Sequence, residues 1–331
     1  MTDKPRVWIS RPTFPGIIAR LEQHFEVTEE SGERKFDPEE LARKLAGQDA
    51  AIVGLKDRVG AAEIAAAPRL RVVANLGVGF DNLDLDALSA AGIVASNTPG
   101  VLDESVADYA WALMLGAARR MSAAERWLRA GKWQSSDFTA WLGADVRGAT
   151  LGILGMGRIG QAIARRARGF DMNVLYHNRS PLPEATERDC QARYVDKSTL
   201  LKEADFLMLV LPLTPQSRHA IGASELAAMK PTAVLVNVAR GGIVDDKALA
   251  AALRERRLAG AALDVFEGEP ALHPGLLELD NVVLSPHIAS ASTSTRRAMT
   301  ALAVDNVLAV FGHGPHAGRP PTILNPGVLD R

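Results

Sequence analysis

The sequence has few of the features that mark several classes of protein. Its 331 residues include one cysteine, Cys190, so no disulfide can form within the chain, and this suits a reducing compartment. No apolar run approaches the ~20 residues that span a bilayer. The first ten residues, MTDKPRVWIS, lack the apolar core of a signal peptide. We therefore expect a cytoplasmic protein with no membrane partner.

An excess of charge of either sign is also absent. The 38 basic and 39 acidic residues leave a formal net charge of −1. Two basic runs, Arg165–Arg168 and Arg254–Arg257, are typical of solvated helix faces. We therefore expect no nucleic-acid partner. No metal site is expected either. With 47% apolar and 23% charged residues, the chain has the composition of an ordinary globular protein of about two domains.

Short β-like runs alternate with helical patterns along most of the chain. This alternation is typical of parallel sheets with helices on both faces, so the fold class is α/β with two doubly wound units and a cleft between them. The predicted strands are RVWIS, FEVTE, AAIVGL, RVVANLG and IVASN in the first unit, then ATLGILG, MNVLYHN, ADFLMLVLP, TAVLVNV, LAGAALDVF and NVVLSPH in the second.

Helices are predicted where the chain passes between the units. Pro99 and Gly100 break the chain, and an apolar helix follows from about Asp103 to Met121. A second helical pattern ends near Gly312. The Pro- and Gly-rich tail beyond it is too short for a domain, so we expect it to pack on the first unit.

The stretch LGILGMGRIGQAIARRA, from Leu151 to Ala167, predicts a strand, a tight turn and a helix. In a dinucleotide fold Gly155 permits the turn, Gly157 lets a pyrophosphate approach the backbone, and Gly160 packs helix against strand. The helix N-terminus adds free N–H donors. The same pattern also fits a simple packing turn, so the neighbouring strand ends must decide between the two interpretations.

An arginine, a carboxylate and an imidazole follow three consecutive predicted strands, at the sheet edge where such folds bind ligands. They are Arg240, Glu269 and His287. Each has a structural alternative: a surface ion pair for the arginine, a solvated loop acid for the glutamate, and a turn residue held by Pro286 for the histidine. Their joint position beside the glycine loop favours a catalytic site.

These residue types suit the reduction of a 2-oxo acid. The guanidinium of Arg240 can hold a carboxylate through paired N–H donors and polarise the adjacent carbonyl. His287 can give a proton to the carbonyl oxygen while a nicotinamide cofactor delivers hydride to the carbon. Glu269 would orient the imidazole and favour its charged form.

Other strand ends offer substrate and cofactor contacts. In NLGVGFDNLD the backbone N–H groups of Val78 and Gly79 can bind a carboxylate, although the segment also fits an ordinary Asx-rich turn. Lys56 is a strand-end cation that can face the substrate. Asp264 either binds the carboxamide of the nicotinamide or caps a neighbouring turn.

Several segments resemble the D-isomer-specific 2-hydroxyacid dehydrogenases, in order and at matching spacing over nearly the whole chain. They are NLGVGFDNLDLDAL, NTPGVLDESVADYAWALML, LGILGMGRIGQAIARRARGFDMNVLYHNRS, LPLTPQSRHAIGASELAAMKPTAVLVNVARGGIVDDKALAAAL, LAGAALDVFEGEP and NVVLSPHIASAS. Within that family, NTPGVL, VLYHNRS and the terminal NPGVL are most similar to the glyoxylate/hydroxypyruvate reductases, including the bacterial kind that also reduces 2-ketogluconate.

The resemblance implies a catalytic set of Arg240, Glu269 and His287, in agreement with the residue types at the strand ends. The expected substrate contacts are Lys56, Val78, Gly79 and Arg240. It implies a dinucleotide-binding domain, residues 102–292, inserted into a discontinuous substrate-binding domain, residues 1–101 plus 293–331. It also implies a homodimer formed through the cofactor domain. Trp141 occupies a position that approaches the partner's active site in some relatives, and an ordinary interface contact is the alternative. The expected cofactor contacts are Gly155, Gly157, Arg158, Ile159, Gly160, Asn178, Arg179, Ser180, Pro212, Val238, Arg240, Asp264 and His287.

The end of the strand MNVLYHN indicates which cofactor is preferred. An NAD enzyme needs an acidic side chain there to bind the ribose 2′-hydroxyl. Here Asn178, Arg179 and Ser180 follow, so the carboxylate is absent and a guanidinium can pair with a 2′-phosphate. We predict NADPH as the preferred cofactor and NADH as the alternative.

A dinucleotide-sensing protein, like the corepressors that share this fold and often keep the triad, is the alternative function. Such a protein would bind NADPH yet reduce 2-oxo acids negligibly. The sequence favours an enzyme that reduces glyoxylate, hydroxypyruvate or 2-ketogluconate to the D-2-hydroxy acid. Formate dehydrogenase relatives carry glutamine where Glu269 stands, which counts against them.

Overall fold

The computed structural model describes residues 4–330, which form two compact units. The first comprises residues 4–102 and 292–330, and the second comprises residues 103–291. Each contains one fully parallel sheet with helices, which confirms the predicted fold class. Within the described residues no helix is long and apolar enough to cross a membrane.

Twelve strands and thirteen α-helices are found in the described residues. The strands are β1 (Arg6–Ile9), β2 (Glu26–Glu29), β3 (Ala50–Val53), β4 (Val72–Asn75), β5 (Val94–Ser96), β6 (Thr150–Leu154), β7 (Asn173–His177), β8 (Ala192–Tyr194), β9 (Phe206–Leu209), β10 (Val234–Asn237), β11 (Gly260–Leu263) and β12 (Val282–Leu284). The helices are α1 (Pro15–Glu22), α2 (Pro38–Leu45), α3 (Ala61–Ala65), α4 (Leu85–Ala90), α5 (Asp103–Ala118), α6 (Met121–Arg129), α7 (Arg158–Ala167), α8 (Glu184–Cys190), α9 (Lys197–Glu203), α10 (Ala223–Ala228), α11 (Asp246–Arg254), α12 (Pro274–Leu277) and α13 (Thr293–Val310).

The first unit is a five-stranded sheet in the order β2-β1-β3-β4-β5. Its central strands are apolar throughout because successive side chains point to opposite faces and both faces are covered. Ile52 and Ala74 pack in the cluster formed with α1 and α13, whereas Ala51 and Val73 pack in the cluster formed with α2, α3 and α4.

The C-terminal tail packs on this unit, as the sequence predicts. Ile323 pairs antiparallel with Ser96 at the edge strand β5. The side chain of Asn325 accepts a hydrogen bond from Ala95 N at 2.8 Å and donates one to Ile93 O at 2.9 Å. The tail therefore satisfies backbone groups that would otherwise form an open sheet edge.

The second unit is a seven-stranded sheet in the order β12-β11-β10-β9-β6-β7-β8. The chain runs outward from β6 to β8 and then crosses back to β9, so the strand order reverses between β6 and β9. A crevice for ligands opens at such a reversal, beyond the carboxyl ends of the strands.

Two details differ from the sequence prediction. Strand β8 was not predicted, because its three residues lie at the sheet edge in a polar segment. The helix predicted from about Asp103 to Met121 ends at Ala118, and a further helix, α6, follows it from Met121. Arg120, which has a left-handed φ of 53°, separates the two helices. Cys190 is fully buried at the end of α8, and burial raises the pKa of its thiol.

Candidate active site

Two glycines shape the turn after β6 by steric necessity. Gly155 has a φ of +103°, and a Cβ added to it would lie 2.6 Å from the backbone oxygen of Val210. A Cβ on Gly160 would lie 2.4 Å from the oxygen of Gly155. These contacts give the two glycines the turn and packing roles that the sequence predicts.

Gly157 has a different environment, because no atom lies within 4 Å of a Cβ added there. The protein's own packing therefore does not explain this glycine. It is the N-cap of α7, whose first N–H groups, including those of Arg158 and Ile159, have no intrahelical partner. Open space beside free donors and the positive end of a helix fits a pyrophosphate.

The end of β7 is joined to this turn by Asn178. Its Oδ1 accepts a hydrogen bond from Met156 N at 2.7 Å. The next two residues, Arg179 and Ser180, are exposed, and neither makes a side-chain hydrogen bond or ion pair with any described residue. The oxygen of Asn178 thus faces the glycine turn, while its amide nitrogen, a guanidinium and a hydroxyl are available to a ligand.

Further predicted contacts follow adjacent strands of the same sheet. Pro212 lies beyond the end of β9, and Val238 lies directly after β10. Since β9 lies between β6 and β10, the strand-end segments that carry these residues and Gly155 are neighbours at one sheet edge.

Asn237, the last residue of β10, holds the loop that carries Arg240. Its buried side chain accepts from Ala239 N and donates to Arg240 O, each at 3.1 Å. Gly241 follows, and a Cβ added to it would lie only 1.8 Å from Phe266 O. The arginine loop therefore packs directly against the loop that carries Glu269.

Glu269 and His287 form a hydrogen-bonded pair. Nδ1 of His287 lies 2.9 Å from Oε2 of Glu269, and Oε1 of the same carboxylate accepts from Phe266 N at 3.0 Å. An ionised carboxylate only accepts hydrogen bonds, so Nδ1 carries a proton. The other ring nitrogen, Nε2, makes no hydrogen bond to residues 4–330.

The charge state of Glu269 depends on competing effects. Burial opposes ionisation, but the hydrogen bond from His287, its charge, the Phe266 N–H and the charge of Arg240 together lower the pKa of Glu269 below its ordinary value of 4.5. The structure therefore brings Glu269 and His287 into contact and places Arg240 near enough to act on the carboxylate.

Asp264 holds the turn that carries His287. This fully buried carboxylate accepts from the hydroxyl of Ser285 at 2.6 Å, from Ile288 N at 2.9 Å and from Ala289 N at 2.8 Å. It therefore caps the turn, one of the two roles considered for it, while carboxamide binding stays a prediction. His287 itself has a left-handed φ of 56°, a conformation that persists only where its surroundings impose it.

A second network, which sequence reasoning missed, anchors the glutamate loop. Buried Asp246 accepts from Glu267 N at 2.9 Å, and burial raises the pKa of its carboxyl. The Glu267 side chain pairs with Arg218 and with His219, the latter at 3.1 Å. These residues are far apart in the sequence, and only the repeated glutamates of FEGEP gave a signal near them.

In the first unit, the predicted substrate residues follow the ends of β3 and β4. Lys56 is half-buried in the loop after β3 and has no hydrogen-bond or ion-pair partner among the described side chains. Val78 and Gly79 lie in the loop after β4, and their N–H groups donate no hydrogen bond within residues 4–330. These N–H groups are therefore open to a ligand, and their binding of a carboxylate stays a prediction.

Trp141 belongs to an aromatic cluster in the second unit. It packs edge-to-face on Trp127, with ring centroids 5.5 Å apart, and the guanidinium of Arg120 lies 5.1 Å from its ring. Whether it approaches a partner's active site stays a prediction.

Replacing Glu269 with glutamine should change how stability depends on acid. The folded protein lowers the pKa of Glu269, so unfolding at acid pH takes up a proton on this carboxylate. The stabilisation that ionised Glu269 contributes is therefore present above about pH 4.5. It is lost as the pH falls through the lower pKa of Glu269 in the folded protein. At pH 7 the variant should lose about 1–3 kcal/mol of unfolding free energy, measured by urea denaturation. The difference between the two proteins should shrink below pH 4.5, and a constant difference would contradict this interpretation.

The chain is similar to known proteins over nearly its whole length. A family model for the NAD binding domain of D-isomer specific 2-hydroxyacid dehydrogenases matches residues 111–289. The chain is 46% identical to the glyoxylate reductase of Thermococcus onnurineus, over 99% of this chain and 98% of that one. Two solved structures are also similar. An NADPH-dependent glyoxylate/hydroxypyruvate reductase from Sinorhizobium meliloti, in complex with NADP and malonate, matches with a TM-score of 0.84 and 36% identity over 97% of both chains. A glyoxylate reductase from Paecilomyes thermophila matches with a TM-score of 0.86 and 34% identity over 99% of this chain and 100% of that one. This chain therefore belongs to the D-isomer-specific 2-hydroxyacid dehydrogenases and is an NAD(P)-dependent oxidoreductase.

Proposed function

We propose that this protein is an NADPH-dependent reductase of small 2-oxo acids, with glyoxylate and hydroxypyruvate as substrates and 2-ketogluconate as a further one. The observation that carries the proposal is the Glu269–His287 pair, because it holds a proton on Nδ1 and leaves Nε2 available to a substrate. The relatives named above are reductases, which favours turnover over a dinucleotide-sensing role.

The proposed reaction converts a ketone substrate into the D-2-hydroxy acid and the aldehyde glyoxylate into the achiral 2-hydroxy acid. A bound nicotinamide supplies the hydride that joins the carbonyl carbon. His287 donates the proton on Nε2 to the carbonyl oxygen, which leaves a neutral imidazole that solvent protonates again. Glu269 keeps the Nδ1 proton in place and compensates the positive charge of the ring before transfer.

Substrate binding is assigned to cations and backbone donors. Arg240 binds the carboxylate and polarises the carbonyl through its planar guanidinium. The N–H groups of Val78 and Gly79 bind the carboxylate, and Lys56 adds positive charge. Cations and free backbone N–H groups each bind anions, and a carboxylate is the anion that every 2-oxo acid carries.

NADPH binding is assigned to the turn after β6 and to the ends of β7, β9 and β10. Gly157 and the start of α7 would hold the pyrophosphate, with Pro212 and Val238 beside the cofactor. Arg179 and Ser180 would bind the 2′-phosphate, and the amide nitrogen of Asn178 would add a donor. In support, Arg179 has no ion-pair partner among the described residues.

The proposal includes a homodimer in the cytoplasm. Five large apolar side chains on α6 and the segment after it are at least half exposed: Met121, Leu128, Trp133, Phe138 and Leu142. Phe138 is 99% exposed, which is costly for an aromatic ring in water, so we propose that a second copy covers this surface. Sedimentation equilibrium should give about twice the chain mass of 35.4 kDa, and Phe138→Glu should reduce that mass. A single chain mass for the unmodified protein would contradict the dimer.

Replacing Asn178 with aspartate should shift the cofactor preference from NADPH towards NADH. The introduced carboxylate can still accept from Met156 N, so the glycine turn keeps its position. Its second oxygen would repel a 2′-phosphate and accept from a 2′-hydroxyl. The ratio of kcat/KM for NADPH to that for NADH should fall at least ~10-fold.

The matched control is Asn173→Asp, which adds the same charge at the opposite end of β7 and should leave the ratio unchanged. A higher kcat/KM with NADH in the unmodified protein would refute the NADPH preference itself.

Removing the imidazole of His287 tests the proposed function. His287→Asn suits the left-handed backbone at this position, and together with His287→Ala it should slow glyoxylate reduction at least ~10²-fold while leaving the NADPH dissociation constant unchanged. His316→Ala, at an exposed histidine of the first unit, is the control. Near-normal turnover in both His287 variants would eliminate the proton donor. Tight NADPH binding with no turnover of any 2-oxo acid by the unmodified protein would instead support the sensing alternative.

A further inference from the structure

Three consecutive carbonyl oxygens of the loop after β4 are all bound from one side, by groups at the ends of β4 and β5. We call residues 77–80 the 77–80 loop. Gly77 O accepts from Thr98 N at 3.0 Å, Val78 O accepts from the side chain of Asn97 at 2.7 Å, and Gly79 O accepts from the side chain of Asn75 at 2.7 Å.

The fixed carbonyls determine where the N–H groups of the loop point. In a trans peptide unit the C=O and N–H bonds point in opposite directions. The N–H groups of Val78, Gly79 and Phe80 share peptide units with the three bound carbonyls, so they point away from these strand ends. None of the three donates a hydrogen bond within residues 4–330. Successive free N–H groups on one side of a loop form a binding site for an anion.

Further hydrogen bonds orient the side-chain amide of Asn75 and hold the backbone of Asn97. Nδ2 of Asn82 donates to Oδ1 of Asn75 at 3.1 Å, which leaves Nδ2 of Asn75 to donate to Gly79 O. Asn97 is bound through its backbone to Thr322, whose hydroxyl donates to Asn97 O at 2.6 Å. Asn75 is fully buried and Asn97 is 7% exposed, so water does not compete for either amide.

We propose that Asn75 and Asn97 are positioning residues for the substrate's carboxylate, and that Phe80 N–H is a third donor beside those of Val78 and Gly79. The proposal rests on the proposed function, because it assigns the anion as a 2-oxo acid. The amides do not touch the substrate. They act by turning the 77–80 loop so that its donors face outward before any ligand arrives, which removes the cost of ordering it on binding.

The alternative is that these amides only stabilise the fold, and Asn325 provides the matched control. It lies in the same unit, and its Nδ2 also donates to a backbone carbonyl, that of Ile93, at 2.9 Å. Asn75→Ala, Asn97→Ala and Asn325→Ala should all lower the melting temperature, because each removes a buried or half-buried hydrogen bond.

Kinetics separate positioning from stability. Asn75→Ala and Asn97→Ala should each raise the KM for glyoxylate and the inhibition constant of oxalate about tenfold, the effect of losing about 1.4 kcal/mol of binding, with a smaller change in kcat and an unchanged NADPH dissociation constant. Asn325→Ala should leave all four constants unchanged. The proposal is overturned if KM and oxalate inhibition stay at the unmodified values in both loop variants, or if Asn325→Ala changes them equally.

A measurement on the unmodified protein covers the case in which a variant does not fold. In 1H–15N spectra recorded with NADP+ present, oxalate should move the amide proton signals of Val78, Gly79 and Phe80 to lower field, as expected on forming hydrogen bonds to a carboxylate. Unchanged signals at all three positions would refute the anion site. This spectrum does not require turnover, so an inactive protein whose loop still binds oxalate would refute the proposed function and leave the loop assignment in place.

Discussion

The hydrogen bond between Glu269 and His287 is the constraint on which the proposed chemistry depends. It joins the loops that follow β11 and β12, two strands without a reactive side chain of their own. It also determines that Nδ1 is the ring nitrogen of His287 that holds a fixed proton. The surrounding loops are built to preserve it. Gly241 lets the arginine loop approach Phe266, while Asp264 binds both flanks of the histidine turn. A strained backbone at His287 is maintained by these contacts, and this is how a site stores the geometry that its reaction needs.

The two units use strand-end asparagines in the same way. Asn75 ends β4 and Asn237 ends β10, and each donates from its amide to a carbonyl in the loop that follows. A buried loop carbonyl needs a donor, and an amide at the strand end supplies one without adding charge. In the first unit the result is a row of free N–H groups. In the second it is a fixed position for the backbone of Arg240.

The features of the structure that follow from local sequence patterns could be predicted from the sequence. Alternation of apolar strands and helices indicated two parallel sheets, and the carboxyl ends of parallel strands meet at one edge, so Arg240, Glu269 and His287 could be expected to lie near one another. The glycine turn after β6 was equally visible, because steric demands on Gly155 and Gly160 leave a sequence signature.

Strand β8 and the break at Arg120 were missed, since an edge strand of three residues has no apolar pattern and a left-handed arginine has no local signal. The network of Asp246, Glu267 and Arg218 and the amides of Asn75 and Asn97 were missed for another reason. The contacts of Asp246, Glu267, Arg218 and Asn97 join residues about 20 or more positions apart in the sequence. Asn75 binds a residue only four positions away, but an asparagine there also fits an ordinary solvent-exposed turn.

The central claim is that Glu269 fixes the proton of His287 on Nδ1 and leaves Nε2 to the substrate. The most direct measurement is the side-chain 1H–15N spectrum of the histidines near neutral pH, with His287 assigned by substitution. The account predicts a low-field proton on Nδ1 of His287 that exchanges slowly and disappears in Glu269→Gln. A proton found on Nε2 of the neutral ring would contradict the account, and so would an Nδ1 proton signal that is unchanged in Glu269→Gln.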